Sequence, residues 1–332
     1  MIVLTERRTL AIVATDDGGA LRAHVSAASG LVCLGTTLYV VVDDALHLGI
    51  FSLDSPAPGR LFRLFDGALA DEKAKRKRRK PDLEALVHIP PFDAFPDGAL
   101  LALGSGSRAN RQRGALLGLD TAGSIAGAPR VIDLAGLFGP MSGLFPDLNI
   151  EGAVVAGDRL RLIQRGNRGR RDNAVLSYPL AKVLPLLLGG GQETLPPESI
   201  HRLDLGEIDG VALGLTDATM LPDGRMVVSA VAEDTDDAYR DGACVGAALG
   251  IVDADGALVS LERLERPDKV EGISLGNPGG RPHLLLVTDA DDPAIPAVLL
   301  SLPLAPFAAE RTGTGGEGEM VSQPGLGSAE QV

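Results

Sequence analysis

One phrase returns along this chain. A carboxylate or hydroxyl is followed by a short apolar run, a turn, and a second apolar run that opens into a polar loop. Its plainest form is Leu148-Asn-Ile-Glu151-Gly152-Ala-Val-Val155, then the turn Gly157-Asp158, then Leu160–Ile163, then the charged stretch from Arg165 to Asn173. Glu84 precedes Leu100–Arg108, Asp217 precedes Arg225–Asp237, and Glu271 precedes His283–Asp289. Ser29 stands at the acidic position before Leu38–Asp44. Taking Ser29, Glu84, Glu151, Asp217 and Glu271 as equivalent points gives steps of 55, 67, 66 and 54 residues, the signature of a repeat architecture. Each unit holds about four strand-like runs and no consistent helix; the third reads 151–156, 159–164, 173–178 and 199–205. Four-stranded units repeated around an axis predict an all-β chain folded as a β-propeller.

The last unit runs short. After 271–275, 283–288 and 297–302 its strands are exhausted, while the N-terminal runs Thr9–Ala14 and Ala20–Val25, a hairpin by their Asp-Asp-Gly-Gly turn, have no unit of their own. N-terminal strands that complete the last blade lock the ring and remove its open edge. The count is then five blades, with six as the alternative if the N-terminus pairs differently. Residues 1–307 read as one domain and 308–332 as a flexible tail, from its low hydrophobicity and many glycines. Two short helices are expected as insertions, in the charge run Asp71–Lys80 and at Ala181–Leu188.

Composition narrows the partners. Trp is absent, aromatics are 3%, and Gly numbers 42, so the core is Leu, Val, Ile and Ala between many tight turns. A net charge of −13 argues against nucleic acid or an anionic membrane. Cys33 and Cys244 lie in apolar runs and read as free thiols. The N-terminus has no secretory pattern and no run spans a bilayer, so a cytoplasmic location is expected.

First strands line a propeller's channel, and their starts share one end. Ser29, Glu84, Glu151, Asp217 and Glu271 therefore converge on the axis. Carboxylates brought together repel, and a hard cation with oxygen ligands resolves the conflict; Ca²⁺ suits such a set. The histidines are scattered, which argues against zinc. The loops after the second strands surround the same mouth. They bring Asp43, Asp44 and Asp289 as carboxylates to orient a water, and Arg108, Arg111, Arg165 and Arg168 to grip a small anionic ligand such as a phosphate. A competing reading has the acidic residues bind backbone N–H groups and seal blade to blade, with Arg108 and Arg165 merely neutralising Glu84 and Glu151. Asp209 copies the phrase, but the turn Pro222-Asp-Gly224 sets the hairpin after Asp217 instead.

The Glu-Gly and Glu-Ala phrases resemble phytase-like and related bacterial propellers. The order Ser, Glu, Glu, Asp, Glu resembles the calcium-activated nucleotidase (apyrase) family. Ser29-Gly-Leu-Val with Leu38–Asp44, Glu151 with Gln164-Arg165, and Val270-Glu-Gly-Ile273 are similar to its blades, over roughly residues 26–290. The resemblance implies five blades and an axial calcium held by one serine or glutamate side chain per blade. Asp217 stands where that family has serine, and Ala14-Thr-Asp16-Asp17 matches its N-terminal acidic phrase loosely. Three functions stay open: a metal-dependent hydrolase of phosphate esters or anhydrides, a non-catalytic binding propeller with a structural cation, and a lactonase-type hydrolase.

Overall fold

The computed structural model describes residues 1–13, 23–70, 72–167, 169–190, 194–235 and 242–305. Among them the strands form five antiparallel sheets arranged as a five-bladed β-propeller. β1 (Thr5–Thr9) belongs to the last blade. Blade one is β2 (Ala28–Leu34), β3 (Thr37–Val42), β4 (His47–Ser52) and β5 (Arg60–Arg63). Blade two is β6 (Leu83–Ile89), β7 (Ala99–Gly104), β8 (Arg113–Gly118) and β9 (Arg130–Asp133). Blade three is β10 (Ile150–Ala156), β11 (Arg159–Gln164), β12 (Ala174–Pro179) and β13 (Ser199–Arg202). Blade four is β14 (Glu207–Ile208), β15 (Val211–Met220), β16 (Met226–Glu233), β17 (Cys244–Val252) and β18 (Leu258–Arg263). Blade five is β19 (Val270–Gly276), β20 (His283–Thr288) and β21 (Val298–Pro303), closed by β1 in the register Thr5↔Ser301 to Thr9↔Val298. Closure by the N-terminus is thus observed, but through Thr5–Thr9, just ahead of the runs Thr9–Ala14 and Ala20–Val25 expected to supply it.

Each blade is buried on both faces, which is why its inner strands are nearly unbroken apolar runs rather than alternating ones. Five apolar clusters result, each shared by two neighbouring blades. One joins Leu101 and Leu116 of blade two to Leu160 and Leu176 of blade three. Another joins Leu285 and Leu299 of blade five to Leu31 and Val40 of blade one, so the ring has no seam without a core.

The N-terminal chain also pairs as a hairpin: Ile12 N–H donates to Ala23 and Val25 N–H to Leu10. Its turn, with Asp16 and Asp17, lies outside the described residues, as do Arg168 and the tail from residue 306. Two expected helices are present, α1 (Lys73–Arg79) and, as the third in chain order, α3 (Leu180–Leu187). Between them α2 (Ala135–Ser142) was not legible: Ala135-Gly-Leu-Phe-Gly-Pro-Met-Ser holds two glycines and a proline. It forms because Leu137, Phe138 and Met141 are buried against blades two and three, and packing outweighs propensity there. No helix among the described residues is long and apolar enough to cross a membrane. Both cysteines are free and partly buried, and burial pushes the Cys33 thiol up to about 11.

Candidate metal centre and its funnel

The first strand of every blade carries a register shift near its start. The shifts fall between Ala28 and Gly30, Leu83 and Ala85, Ile150 and Gly152, Leu215 and Asp217, and Val270 and Gly272. The extra residue at each bulge is Ser29, Glu84, Glu151, Thr216 and Glu271. A bulge re-aims its side chain, and here it does so at the same level around the axis. Oxygens of Glu84, Glu151 and Glu271 lie within 4.8 Å of one another. Three residues more than sixty positions apart in sequence therefore meet in one place. A second group, Asp43, Asp82 and Glu84, is equally tight and shares Glu84.

Blade four corrects the expected ring. Its bulged residue is Thr216, and Asp217 stands one place further on, where the other blades have Gly30, Ala85, Gly152 and Gly272. Those positions are small because neighbouring first strands touch there. Asp217 is 1% exposed, and its carboxylate fills the space over Gly152, 2.5 Å from where a Cβ would sit. It accepts the N–H of Ala218 at 2.8 Å and of Ile273 at 2.8 Å, with Ala153 N–H as a further donor. Asp217 therefore ties blade four to blades three and five by backbone hydrogen bonds, the sealing role that competed with metal ligation. Burial raises its pKa well above the ordinary carboxylate value, against the pull of those three N–H groups. Thr216 Oγ1 donates to the Val270 carbonyl at 2.8 Å and lies 2.8 Å from Ser229 Oγ. Ser29 is 1% exposed and its Oγ has no hydrogen-bond partner.

Above the ring opens a funnel of about 620 Å³ including its mouth. Eight carboxylates line it (Asp43, Asp82, Glu84, Glu151, Glu233, Glu271, Asp289, Asp291) against five basic residues (Lys77, Lys80, Arg111, Arg165, Lys269). With every group ionised the carboxylates exceed the basic residues by three, so a cation is what would hold the raised carboxyls in their charged form. The loops after the second strands do supply the wall, as the topology requires: Asp43 after β3, Arg111 after β7, Arg165 after β11, Glu233 at the end of β16, Asp289 and Asp291 after β20.

The basic groups are held tightly. Arg165 Nη2 lies 2.6 Å from Glu233, and Nη1 lies 3.5 Å from Glu151 and 3.4 Å from Glu271. Gly214 lets it lie there, since a Cβ would meet the Arg165 side chain at 3.0 Å and the Gly166 carbonyl at 2.4 Å. Lys269 Nζ reaches Asp291 at 2.7 Å, Glu271 at 3.2 Å and Glu233 at 3.5 Å. Lys80 Nζ donates to both oxygens of Asp43 and lies 2.9 Å from Asp82. Arg111, 2% exposed, lies 2.6 Å from Asp82. Asp82 and Asp291 hold φ of 57° and 56°, left-handed backbone that Asp tolerates better than most residues.

Burial first, and the crowding of charge second, shifts the carboxyls of the funnel. Burial, with Glu271 and Glu233 adding to it and Arg165 and Lys269 opposing, pushes Glu151 up to about 8. Burial and the Asp43 and Asp82 charges raise Glu84 well above the ordinary value. Burial likewise raises Glu271, and Asp289 more strongly. Glu233 goes the other way: burial raises it, but Arg165 and Lys269 together prevail and lower it.

The structure brings together Glu84, Glu151, Glu271, Asp43, Asp289, Arg111 and Arg165. Besides Asp217, and Ser29 at its own bulge, it leaves two expected residues off the funnel wall. Asp44 sits beside α1, its carbonyl accepting Arg76 Nη1 at 2.9 Å, and does not line the funnel. Arg108 is exposed on its loop because the short helical turn Ala109–Arg111 points Arg111 inward instead. Arg168 lies outside the described residues. Asp209 is an exposed turn residue 3.2 Å from Arg263. The sequence pattern assigned no site role to Lys80, Asp82, Asn149 or Lys269, and marked Glu233 only as the start of a polar loop around the mouth. The signal for four of them was proximity, two or four places before a ring glutamate: Lys80-Pro-Asp82-Leu-Glu84, Asn149-Ile-Glu151, Lys269-Val-Glu271. Asn149 Nδ2 donates to Glu151 Oε1.

A family model described as a family of unknown function, DUF6929, matches residues 24–304. No curated protein matches the chain. Among solved structures, similar folds include the glutaminyl cyclase of Myxococcus xanthus, at 11% identity and TM-score 0.47 over 90% of this chain and 96% of that one. Luciferin-regenerating enzyme aligns at 12% identity and TM-score 0.38 over 83% and 76%. The WD40 β-propeller domain of Doa1 aligns at 9% and 0.38 over 90% and 97%. At these values the likeness assigns no activity to this chain.

Proposed function

From the premise that the chain belongs to DUF6929, a family without a known activity, we propose a function built on the funnel alone: it holds a divalent cation and, with it, the phosphoryl group of an ester or anhydride that it hydrolyses. The observation that carries this reading is the meeting of Glu84, Glu151 and Glu271 within 4.8 Å. All donors are hard oxygens, and no His or Cys lines the funnel among the described residues, which favours Ca²⁺ over zinc. Ser29 Oγ, buried without a partner at the equivalent bulge, fits as a further ligand. With Thr216 replacing Asp217, the bulge residues read hydroxyl, carboxylate, carboxylate, hydroxyl, carboxylate. That order is nearer the serine-and-glutamate set of the calcium-activated nucleotidases than one with Asp217 in the ring.

A bound cation supplies Lewis acidity at a phosphoryl oxygen. The chain's own residues do the rest. Arg165 and Lys269, which pair with the ring glutamates here, have N–H groups to grip the remaining oxygens once ring charge is neutralised otherwise. Asp289, on the wall beside Glu271, is the carboxylate placed to orient a water. One observation favours binding without turnover: both oxygens of Asp43, the other candidate to hold water, are taken by Lys80. Turnover of nucleoside di- and triphosphates, p-nitrophenyl phosphate and simple lactones, in calcium and in chelator, decides between them. Calcium-dependent phosphate release supports the hydrolase. Calcium binding with no turnover supports the binding module, and lactone opening alone transfers the site to carboxylic esters.

A further inference from the structure

A second polar site lies between blades three and four, toward the end of the propeller away from the funnel. Strand alternation in β11 turns Leu160 and Leu162 into the core shared with blade two. It turns Ile163, with Arg161 and Arg159, toward blade four. Arg161 pairs across the sheet with Val154, three residues beyond the ring position. In the other blades the same register places Tyr39 opposite Val32, Leu101 opposite Val87, Val227 opposite Thr219, and Leu285 opposite Ser274. All four are at most 1% exposed. The fold thus fills this position with a buried apolar or aromatic side chain in every blade but one.

Arg161 is the exception, a half-buried guanidinium. Its Nε is buried and has no hydrogen-bond partner. Leaving a guanidinium donor unmet away from water is unfavourable, and a sequence that wanted only a packed blade would have kept Leu or Val there. The polarity continues across the sheet. Ser177 pairs with Arg161, and Ser199 with Ser177, giving a row of one guanidinium and two hydroxyls. These residues line a groove of about 290 Å³ together with Arg159, His201 and Glu198, whose carboxylate is ion-paired with Arg159. His201 takes the space a Cβ would need at Gly256, 2.6 Å from the ring, so the blade-four turn packs against it. Met226 and Val252 make its opposite wall apolar.

We propose that this groove binds a small amphiphilic oxyanion, a carboxylate or phosphate whose oxygens take the Arg161 fork and the serine hydroxyls while its body lies on Met226 and Val252. The site stands apart from the funnel and does not depend on a cation. The test is calorimetric titration of the full chain in chelator with inorganic phosphate and with butyrate, using chloride as the ionic control. One saturable site is expected, weakened at least about tenfold by Arg161→Leu, the scale of a charged hydrogen bond. Arg161→Leu copies what the other blades carry, so it is expected to fold at least as stably as the wild type and to bind calcium unchanged. Should it not fold, Arg161→Lys carries the test, because it keeps the charge and loses the fork; several-fold weaker binding is expected. Saturation by phosphate alone or butyrate alone names the group. Equal affinity in the variants, or no saturable heat with either anion, overturns the proposal.

Discussion

Asp217→Ala separates a blade-sealing carboxylate from a metal ligand. The substitution strips the acceptor from three backbone N–H groups, on Ala218 of blade four, Ile273 of blade five and Ala153 of blade three. The site is dry, Asp217 being 1% exposed, so water cannot replace it without distortion. An unsatisfied buried donor costs about 1–3 kcal/mol. Three of them, less the relief of no longer burying a carboxyl group, leave a net loss of about 3 kcal/mol. In a fold whose total stability is of the order of 5–15 kcal/mol that is a large share. For a chain of 332 residues, at about 2.1 cal/mol/K of unfolding entropy per residue, it corresponds to a Tm lower by roughly 4–5 °C. Asp217→Asn keeps one acceptor oxygen and falls between the two. The assay is thermal unfolding in chelator, paired with calcium titration of the folded variants. The reasoning is refuted by an Asp217→Ala protein that melts like the wild type, or by one that keeps its Tm and loses calcium.

Other outcomes follow from the same geometry. Glu151→Gln removes one of three converging carboxylates and is expected to weaken calcium binding at least about a hundredfold, more than outer-shell changes achieve; titration calorimetry reads it directly. Arg165→Met leaves Glu151, Glu233 and Glu271 without their shared counter-ion, so the metal-free protein should lose about 3–5 kcal/mol, with calcium restoring much of it in denaturant melts. The Glu151 carboxyl is raised from 4.5 to about 8 by burial, so the folded metal-free state holds a proton that the unfolded chain releases near pH 4.5. Its contribution is therefore full below that pH and is lost as pH climbs toward about 8. Melting scans in chelator should show this decline, and saturating calcium, which favours the charged form, should flatten it.

Much of the architecture was legible because both faces of each blade are covered. Runs such as Leu38-Tyr-Val-Val-Val and His283-Leu-Leu-Leu-Val announce doubly buried strands without any structure, and the short last unit announced closure by the N-terminus, though not that Thr5–Thr9 is the segment that closes it. The three ring glutamates were legible for the same reason, as polar residues at fixed phase in apolar repeats. Blade four was misread by one place because a bulge shifts the phase by one residue, and nothing in Leu215-Thr-Asp217 marks which of two oxygen-bearing side chains occupies it. The small residue after the bulge is the nearest clue, and Asp217 takes that place by filling the gap above Gly152. Lys80 was hidden in a charge run that reads as solvated surface. It is buried because the chain leaves α1, turns at Pro81 and carries that one amine down beside Asp43 and Asp82. The choice of Arg111 over Arg108 rests on a three-residue helical turn that sequence pattern does not resolve.

The most direct measurement is a crystal structure of the chain grown in calcium, with manganese exchanged in for its anomalous signal. A single peak bounded by oxygens of Glu84, Glu151 and Glu271, with Ser29 Oγ beside it and Arg165 drawn back toward Glu233, is the predicted result. Arg165 still spanning Glu151 and Glu271 at saturating metal, with no peak on the axis, would contradict the account.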